Sequence, residues 1–340
     1  MYEESTTSMI FNFIENRYYA EKSNEMVDDL IGILNFSKSN IYKKIKGEST
    51  LTVNDLIKLS RHFRFSLDEL FGLASGKIDF NFPALEGNVK TPSDFVTQIT
   101  AELDQLRFPD LVLHYATKEL PLFYYFSSPE LAVFKLHVFY NLIWKDDKHA
   151  YTKFNLSHYK SDHYIQAKIK EIGFKYMSLN TVEYWNVHVL DNTLNQIEYF
   201  LQAGLFEDSE TALLLIDEMI KLVHRIKLMI EQKNKTPLGF TDQSSGSTII
   251  YHNEIVHTNN VIFLDSPVFQ AVYNTYDNPN FMVSQSKELC AYTQRWITRL
   301  QKNSTPISEG TIRDQQYFVN KLLQQIEKQK TIINHLLLEH

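Results

Sequence analysis

The sequence predicts a mainly α-helical protein: a small amino-terminal helical domain, then a larger helical body with a small antiparallel β meander near the carboxy terminus. Three observations support this prediction. Apolar residues recur at helical spacing along most of the chain. Glycine and proline concentrate between residues 72 and 92, and a second break follows at 234–246. Beyond residue 247 the apolar pattern changes to alternation, which is typical of strands.

Length and composition indicate a folded, multidomain protein. A chain of 340 residues is too long for one ordinary core and predicts two or three domains. A hydrophobic content of 44%, with 13% aromatic residues, argues against global disorder. The net charge of −7 comes from acids spread over the whole chain, which leaves room for a locally basic module.

The sequence indicates a cytoplasmic protein. Its single cysteine, Cys290, excludes an internal disulfide framework and fits a reducing compartment. The acidic start, Met1–Glu4, does not resemble a signal sequence. The most apolar segment, Leu120–Trp144, is interrupted by polar and charged residues, so we expect no transmembrane helix.

The breaks divide the chain into segments. We expect a first domain at 1–72, a linker at 73–92 and a body at 93–337 with the meander at 247–273. Phe80 and Phe82 lie inside the linker and predict that it docks partly on the body. Residues 338–340 resemble the start of an expression tag and are left out of the fold prediction.

The first domain contains two short helices hinged at Leu34–Phe36. The first helix is expected from about Asn24 to Leu34, with one apolar face. The second opens at Ser37, whose hydroxyl can cap the first turn, and ends at Gly47, which readily adopts a left-handed conformation. Earlier, Thr7 or Ser8 can cap a first helix. Later, Thr52 can cap a helix through about Phe63, with Val53, Leu56, Ile57 and Leu59 facing inward.

The second helix of this pair carries the candidate functional surface. Ile41 and Ile45 lie one turn apart and would anchor it, while its other faces contain no acidic residue. A helix with donors for phosphates and base edges can enter the major groove of DNA. The candidate DNA-binding residues are Ser37, Lys38, Ser39, Asn40, Tyr42, Lys43 and Lys46. The alternative is a solvated lysine face without function.

This region resembles the XRE family of helix-turn-helix regulators, the Cro-like phage-repressor type. The resemblance rests on three stretches: Met26–Leu30, Ser37–Gly47 and Phe65–Phe71. The resemblance covers about residues 8–72. It implies a five-helix, lambda-repressor-like domain that binds duplex DNA, usually as a dimer. By position it implies that Lys38, Ser39 and Lys43 read base edges and that Lys46 lies near the phosphate backbone.

The later part of the chain is similar to the carboxy-terminal part of XRE-type regulators from Bacteroidetes-like bacteria. The similar stretches are Ala116–Pro121, Glu198–Phe206 and Lys302–Ser308. This resemblance supports the class of protein and assigns neither a ligand nor a site.

The body is predicted to be helical with short β-prone runs. Strands are expected at Leu111–Ala116 and Leu122–Phe126, and an antiparallel meander at 248–257, 260–264 and 267–273. Helices are expected from Thr91, at Pro129–Trp144, and at about Tyr164–Tyr176, Thr181–Ala203, Asp208–Gln232, Ser284–Asn303 and Thr311–Leu337.

The aromatic residues of the body could line a pocket for a planar or apolar effector. The candidates are Tyr124, Tyr125, Trp144 and Trp185, and the alternative, which we favour, is that they form ordinary core.

Neither a phosphate-binding glycine loop nor a nucleophile elbow occurs, so we expect no cofactor and no enzyme activity. Cys290 is expected to be a buried apolar residue. The His252/His257 pair would point to opposite faces of a strand and is a poor chelate, and the His158/His163 pair lies in a predicted loop, so no metal site is expected.

The function favoured by these patterns is a bacterial transcription regulator that binds double-stranded DNA as a homodimer. The alternative is an antitoxin-like or adaptor protein, or an enzyme, that retains a helix-turn-helix domain.

The last helix offers a dimer seam. Its residues Ile312, Val319, Ile326 and Ile333 recur every seven positions, and Leu322 and Leu336 lie three positions after two of these isoleucine and valine residues. The competing interpretation is that this stripe packs on the chain's own meander.

Overall fold

A computed structural model describes residues 5–19, 23–63, 65, 67–71, 78–83, 89–141, 152–235, 245–254, 260–277 and 279–339. The chain forms two compact units, Met1–Asp79 and Phe80–His340. Residues 80–83 are joined to the second unit, because Asn81 forms a β-bridge with Val283 and the Phe82 ring lies 5.4 Å from that of Tyr276. Among the described helices, none has both the length and the apolar character needed to cross a membrane.

The first unit is helical throughout its described part. Its helices are α1 (Thr6–Ile14), α2 (Ser23–Leu34), α3 (Lys38–Ile45), α4 (Val53–Phe63) and α5 (Leu67–Phe71), and a π-helical turn, Glu15–Tyr19, follows α1. The expected bounds of α2, α3 and α4 are confirmed to within a residue or two. The cap of α1 was wrongly predicted, since Ser5 accepts the bond from the Ser8 amide.

Helix α4 differs from its prediction in which side chains it buries. Leu59 is fully buried, but Val53 and Ile57 are exposed at 72% and 39%. Asp55 is buried instead, because its carboxylate accepts a bond from the Thr52 amide while the Thr52 hydroxyl accepts one from the Asp55 amide. This reciprocal cap turns Asp55 inward at the start of the helix.

The second unit combines helices with strands along its whole length. Its helices are α6 (Pro92–Asp104), α7 (Leu122–Tyr125), α8 (Pro129–Phe139), α9 (Leu156–Ser161), α10 (His163–Met177), α11 (Asp191–Gln202), α12 (Thr211–Gln232), α13 (Lys287–Lys302) and α14 (Ile312–Glu339). Its strands are β1 (Val112–Ala116), β2 (Asn180–Trp185), β3 (Thr248–His252), β4 (Val261–Asp265), β5 (Gln270–Asp277), β6 (Asn280–Ser284) and β7 (Thr305–Pro306).

These strands form one seven-stranded mixed sheet in the order β6-β5-β4-β1-β2-β3-β7. Strands β1, β2 and β3 are parallel, and the remaining neighbours pair antiparallel. The prediction of a helical body with only a small meander near the carboxy terminus is therefore wrong. The meander consists of β4, β5 and β6, whereas β3 lies on the other side of β1 and β2.

Two local predictions failed for different physical reasons. The segment Thr181–Trp185 was expected to start a helix but forms β2, the strand between β1 and β3. The run Leu122–Phe126 was expected to be a strand but forms the short helix α7 after Pro121. Both Tyr124 and Tyr125 are buried there, so the continuous aromatic run reflects burial on several sides and not β structure.

Helix α14 packs against α11 and α12 of the same chain. Its stripe of Val319, Leu322, Ile326 and Ile333 is buried in the core of this unit, while Ile312 is exposed at 72%. Four of the six side chains expected to form a dimer seam are thus packed within the chain, so they do not form an exposed seam. The competing interpretation named a minor partner, because α14 packs chiefly against α11 and α12, while its Phe318 contacts His252 of β3, a strand of the predicted meander.

A buried carboxylate connects the sheet to its helices. Glu183 of β2 is fully buried, and its Oε1 accepts hydrogen bonds from the Tyr124, Tyr176 and Thr181 hydroxyls at 2.9, 3.1 and 2.8 Å. Its Oε2 accepts a bond from the Trp185 indole N–H at 3.0 Å. These donors come from α7, α10 and β2 itself, so one side chain joins three elements. Four donors offset the loss of hydration that an isolated buried carboxylate would suffer.

Two lysines of this unit are also buried. The Lys235 amine lies 4.1 Å from the centroid of the Tyr176 ring and donates to the Tyr176 carbonyl. Burial lowers its pKa to about 7 against the opposing effect of the Glu183 carboxylate. The Lys135 amine donates to Gln196 at 2.7 Å, and burial lowers its pKa to about 8. Both amines therefore lose their proton at a lower pH than an ordinary lysine does.

The Glu183 network can be tested by Glu183→Gln. Glutamine removes the charge that strengthens these bonds, and an amide nitrogen at the Oε2 position would face the Trp185 N–H, which can only donate. We expect the free energy of unfolding to fall by about 1.5–3 kcal/mol for each charged bond lost. Urea unfolding followed by tryptophan fluorescence measures this, since all three tryptophans lie in the second unit. The control is Glu207→Gln at an exposed position; equal effects of the two changes would contradict the role of Glu183.

The buried lysines predict a pH dependence of stability. Their folded pKa values lie below the ordinary 10.5, so above pH 7 the unfolded chain binds more protons than the folded chain. The free energy of unfolding should rise from pH 7 to 9, by up to about 1.4 kcal/mol per pH unit for each lysine. Lys235→Met should reduce this slope, whereas Lys153→Met, at an exposed position, should not. An unchanged slope in Lys235→Met would show that Lys235 stays charged in the folded protein.

Candidate nucleic-acid interface

Helices α2 and α3 are joined by a short turn whose backbone is set by local chemistry. Asn35 adopts a positive φ of 57°, and the Ser37 hydroxyl accepts a hydrogen bond from the Asn40 amide at the start of α3. Gly47, just after the Lys46 cap, has a φ of 74°. A Cβ at this position would lie 2.4 Å from the Ser5 Oγ, so glycine is required by both conformation and space. The expected cap and stop of α3 are confirmed.

Several contacts hold α3 against the rest of the first unit. Ile41 is fully buried, and the Ser8 hydroxyl donates to the Ile45 carbonyl at 3.1 Å. Lys44 is also buried: its amine donates to the Thr50 carbonyl and lies 4.9 Å from the centroid of the Phe36 ring. Lys44 thus faces inward and belongs to the anchor of the helix.

Most of the candidate DNA-binding residues lie on the open side of α3. Asn40 is half-buried, while the other candidates are exposed: Ser37, Lys38, Ser39, Tyr42, Lys43 and Lys46. Ser39, Tyr42, Lys43 and Lys46 follow the spacing i, i+3, i+4, i+7, which brings them into one stripe on a helix. The stripe combines two amines with two hydroxyls, so it can bind phosphate oxygens and donate to base edges.

The neighbouring helix α2 adds negative charge beside this stripe. The Lys38 amine lies 3.6 Å from an Asp28 carboxylate oxygen, and both side chains are largely exposed. A second acid of α2, Asp29, accepts a 2.7 Å bond from the Tyr19 hydroxyl. Asp28 partly neutralises Lys38, whereas Lys43 and Lys46 lie one and two turns further along α3. Sequence analysis missed this partner because the two residues are ten positions apart on different helices.

Three of the four residues suggested for an effector pocket lie in the core of the second unit. Tyr124, Tyr125 and Trp185 are all at most 2% exposed, and Trp144 lies outside the described residues. The Tyr124 hydroxyl and the Trp185 N–H donate to Glu183, and the Tyr125 hydroxyl lies 2.6 Å from that of Thr193. These contacts correspond to ordinary core, the interpretation favoured by sequence.

The histidines and the cysteine considered from the sequence form no metal-binding arrangement in the described part of the chain. There, no three His, Cys, Asp or Glu side chains come together as ligands. His158 and His163 are exposed, and His257 lies outside the described residues. Cys290 is buried, as expected, and burial raises the pKa of its thiol.

No family model, curated protein or solved structure matches this chain.

The anchoring of α3 predicts a local loss of stability in Ile41→Ala. Truncating a fully buried isoleucine should cost about 2–5 kcal/mol. Hydrogen exchange measured by mass spectrometry should show lost protection in peptides from α2, α3 and α4. The urea midpoint from tryptophan fluorescence should stay unchanged, because the first unit contains no tryptophan. Ile57→Ala, at a position exposed at 39%, is the matched control and should preserve protection. A shifted tryptophan midpoint in Ile41→Ala would show that the two units unfold together.

Proposed function

We propose that this protein is a sequence-specific, DNA-binding transcription regulator that acts as a homodimer in the cytoplasm. The observation that carries the proposal is the exposed stripe of α3. Ser39, Tyr42, Lys43 and Lys46 face solvent together on a helix without acids, while Ile41 anchors the opposite side. An exposed, anchored helix of this kind is the element that helix-turn-helix proteins insert into the major groove.

The side chains of the stripe can contribute both to affinity for DNA and to the choice of base sequence. Lysine amines attract phosphates through charge, which gives sequence-independent binding that weakens with salt. Lysine, serine and tyrosine side chains can also bond to base edges, which differ between base pairs in the major groove. The expected assignment is that Lys38, Ser39 and Lys43 read bases and that Lys46 binds phosphate.

The homodimer part of the proposal follows from the size of the reading surface. Helix α3 has eight residues and contacts only a short stretch of one groove. Two copies on half-sites about 34 Å apart would double the contacts and add symmetry to the site. Because the α14 stripe is buried, the proposed dimer uses another surface. Sedimentation of the full chain tests this, and a monomer at micromolar concentration with and without DNA would contradict it.

The DNA-binding proposal can be tested without knowing the operator. Purified full chain is mixed with a random double-stranded library, and enriched sequences are then titrated by fluorescence anisotropy. Lys43→Ala should cost about 1–3 kcal/mol at the enriched site and less at mismatched sites. Lys46→Ala should weaken all sequences about equally and lower the salt slope by about one unit.

Lys302→Ala is the matched control for these changes, since Lys302 is an exposed lysine at the end of α13 in the other unit. It should leave the affinity at the enriched site unchanged. If the library yields no enriched sequence, or if Lys43→Ala binds like the control, α3 is not a DNA-reading helix. A role in protein interaction, as in antitoxin-like or adaptor proteins, would then be favoured.

A further inference from the structure

The second unit contains a cleft of about 350 Å³ at the carboxyl end of β3. Its lining includes His252, Asn253 and Glu254, which end β3 and follow it, together with Asn303, Asp314 and Tyr317. Ligand sites in sheets with parallel strands usually lie outside the carboxyl ends of those strands. The cleft therefore has the position of a ligand site.

His252 is the unusual residue of this cleft. Its side chain is only 10% exposed, and its Nε2 has no hydrogen-bond partner among the described residues. The nearest acid oxygen, on Glu254, is 3.6 Å away, which is too far for a hydrogen bond. The ring is fixed in place against Phe318, with centroids 5.3 Å apart. A buried polar atom of this kind needs a partner, because leaving it unsatisfied costs free energy.

The charged groups that line the cleft are negative. Asp314 is held by the Thr311 hydroxyl and amide, at 2.7 and 3.2 Å, and these bonds lower the pKa of its carboxyl group. Glu254 is 62% exposed at the side of His252. Burial lowers the pKa of His252 against the opposing effect of Glu254, which favours the neutral ring. A ligand that fits this lining carries hydrogen-bond donors and positive charge.

We propose that the cleft binds a small organic cation with N–H donors, of the guanidinium or alkylammonium class, between His252, Glu254 and Asp314. The carboxylates supply charge and acceptors, and the His252 Nε2 acts as an acceptor in the corresponding tautomer of the neutral ring. An anion is disfavoured, because it would face two carboxylates without a cation in the lining. The proposal does not depend on whether α3 binds DNA.

Two probes of nearly equal shape distinguish recognition of positive charge from binding that depends only on the size of the ligand. N-Butylguanidinium carries a positive charge and several N–H donors, whereas N-butylurea has a similar size and no charge. Each is titrated into the full chain by isothermal titration calorimetry at fixed ionic strength. We expect saturable one-to-one binding of butylguanidinium and at least tenfold weaker binding of butylurea.

Two variants assign the binding to this cleft. Glu254→Gln removes an exposed charge and should weaken binding about two- to fivefold, the effect of one exposed ion pair. His252→Phe keeps the ring that packs on Phe318 but removes both ring nitrogens, and should weaken binding about two- to tenfold. Glu288→Gln, at an exposed acid of α13 that does not line the cleft, should change nothing. Unfolding midpoints from tryptophan fluorescence confirm that each variant is folded.

Each other outcome rejects the proposal. No saturable binding of butylguanidinium up to millimolar concentration means that the cleft holds only solvent. Equal binding of butylguanidinium and butylurea means that charge is not recognised. Binding that neither Glu254→Gln nor His252→Phe weakens lies elsewhere on the protein.

Discussion

The buried carboxylate of Glu183 is the interaction on which the second unit most depends. Transfer of a carboxylate from water into a protein interior costs several kcal/mol unless its oxygens are bonded. Glu183 meets this requirement with four donors, from α7, α10 and its own strand. The hydrogen bonds to these four donors fix the position of β2 relative to α7 and α10. They also hold the Tyr124 and Tyr176 side chains in the core and set the side of the sheet on which these helices pack. On the opposite face Tyr184 stacks on Tyr251 and packs with Ile297 of α13, without a comparable charge.

The elements that could be predicted from the sequence are those fixed by interactions between residues close together in the chain. The helices of the first unit were predictable, because Ser37, Gly47 and Thr52 act on backbone groups within a few residues. The central sheet was not. The segment Thr181–Trp185 has the β-branched and aromatic residues of a strand, but Glu183 in its middle favours a helix. Its burial depends in part on the Tyr124 and Tyr176 hydroxyls, which come from other elements. Strands β3 and β4 follow one another in sequence, yet β1 and β2 lie between them.

The same distinction applies to the candidate interface. The exposed stripe of α3 follows from helical spacing alone, so Ser39, Tyr42, Lys43 and Lys46 could be named from sequence. The burial of Lys44 could not be predicted, because it depends on Phe36 in the preceding turn and on Thr50 in the following loop. The partner of Lys38 required the packing of α2 against α3. The cleft at His252 left no sequence signal, since Glu254 and Asp314 are sixty positions apart and only the fold brings both to its lining.

Helix α14 shows what a heptad stripe can and cannot indicate. Its apolar positions repeat with the period of a coiled coil, and they are indeed buried, but against α11 and α12 of the same chain. The polar position Gln329, which would weaken a dimer seam, donates to Glu198 of α11 at 2.6 Å and is satisfied there. Lys330 likewise pairs with Asp217 of α12 at 2.8 Å. Periodicity therefore shows that a helix has a partner along one face, while the polar residues inside that face identify the partner. A dimer of this protein must use a surface outside this face, because opening it would expose Val319, Leu322, Ile326 and Ile333 and leave Gln329 and Glu198 without each other.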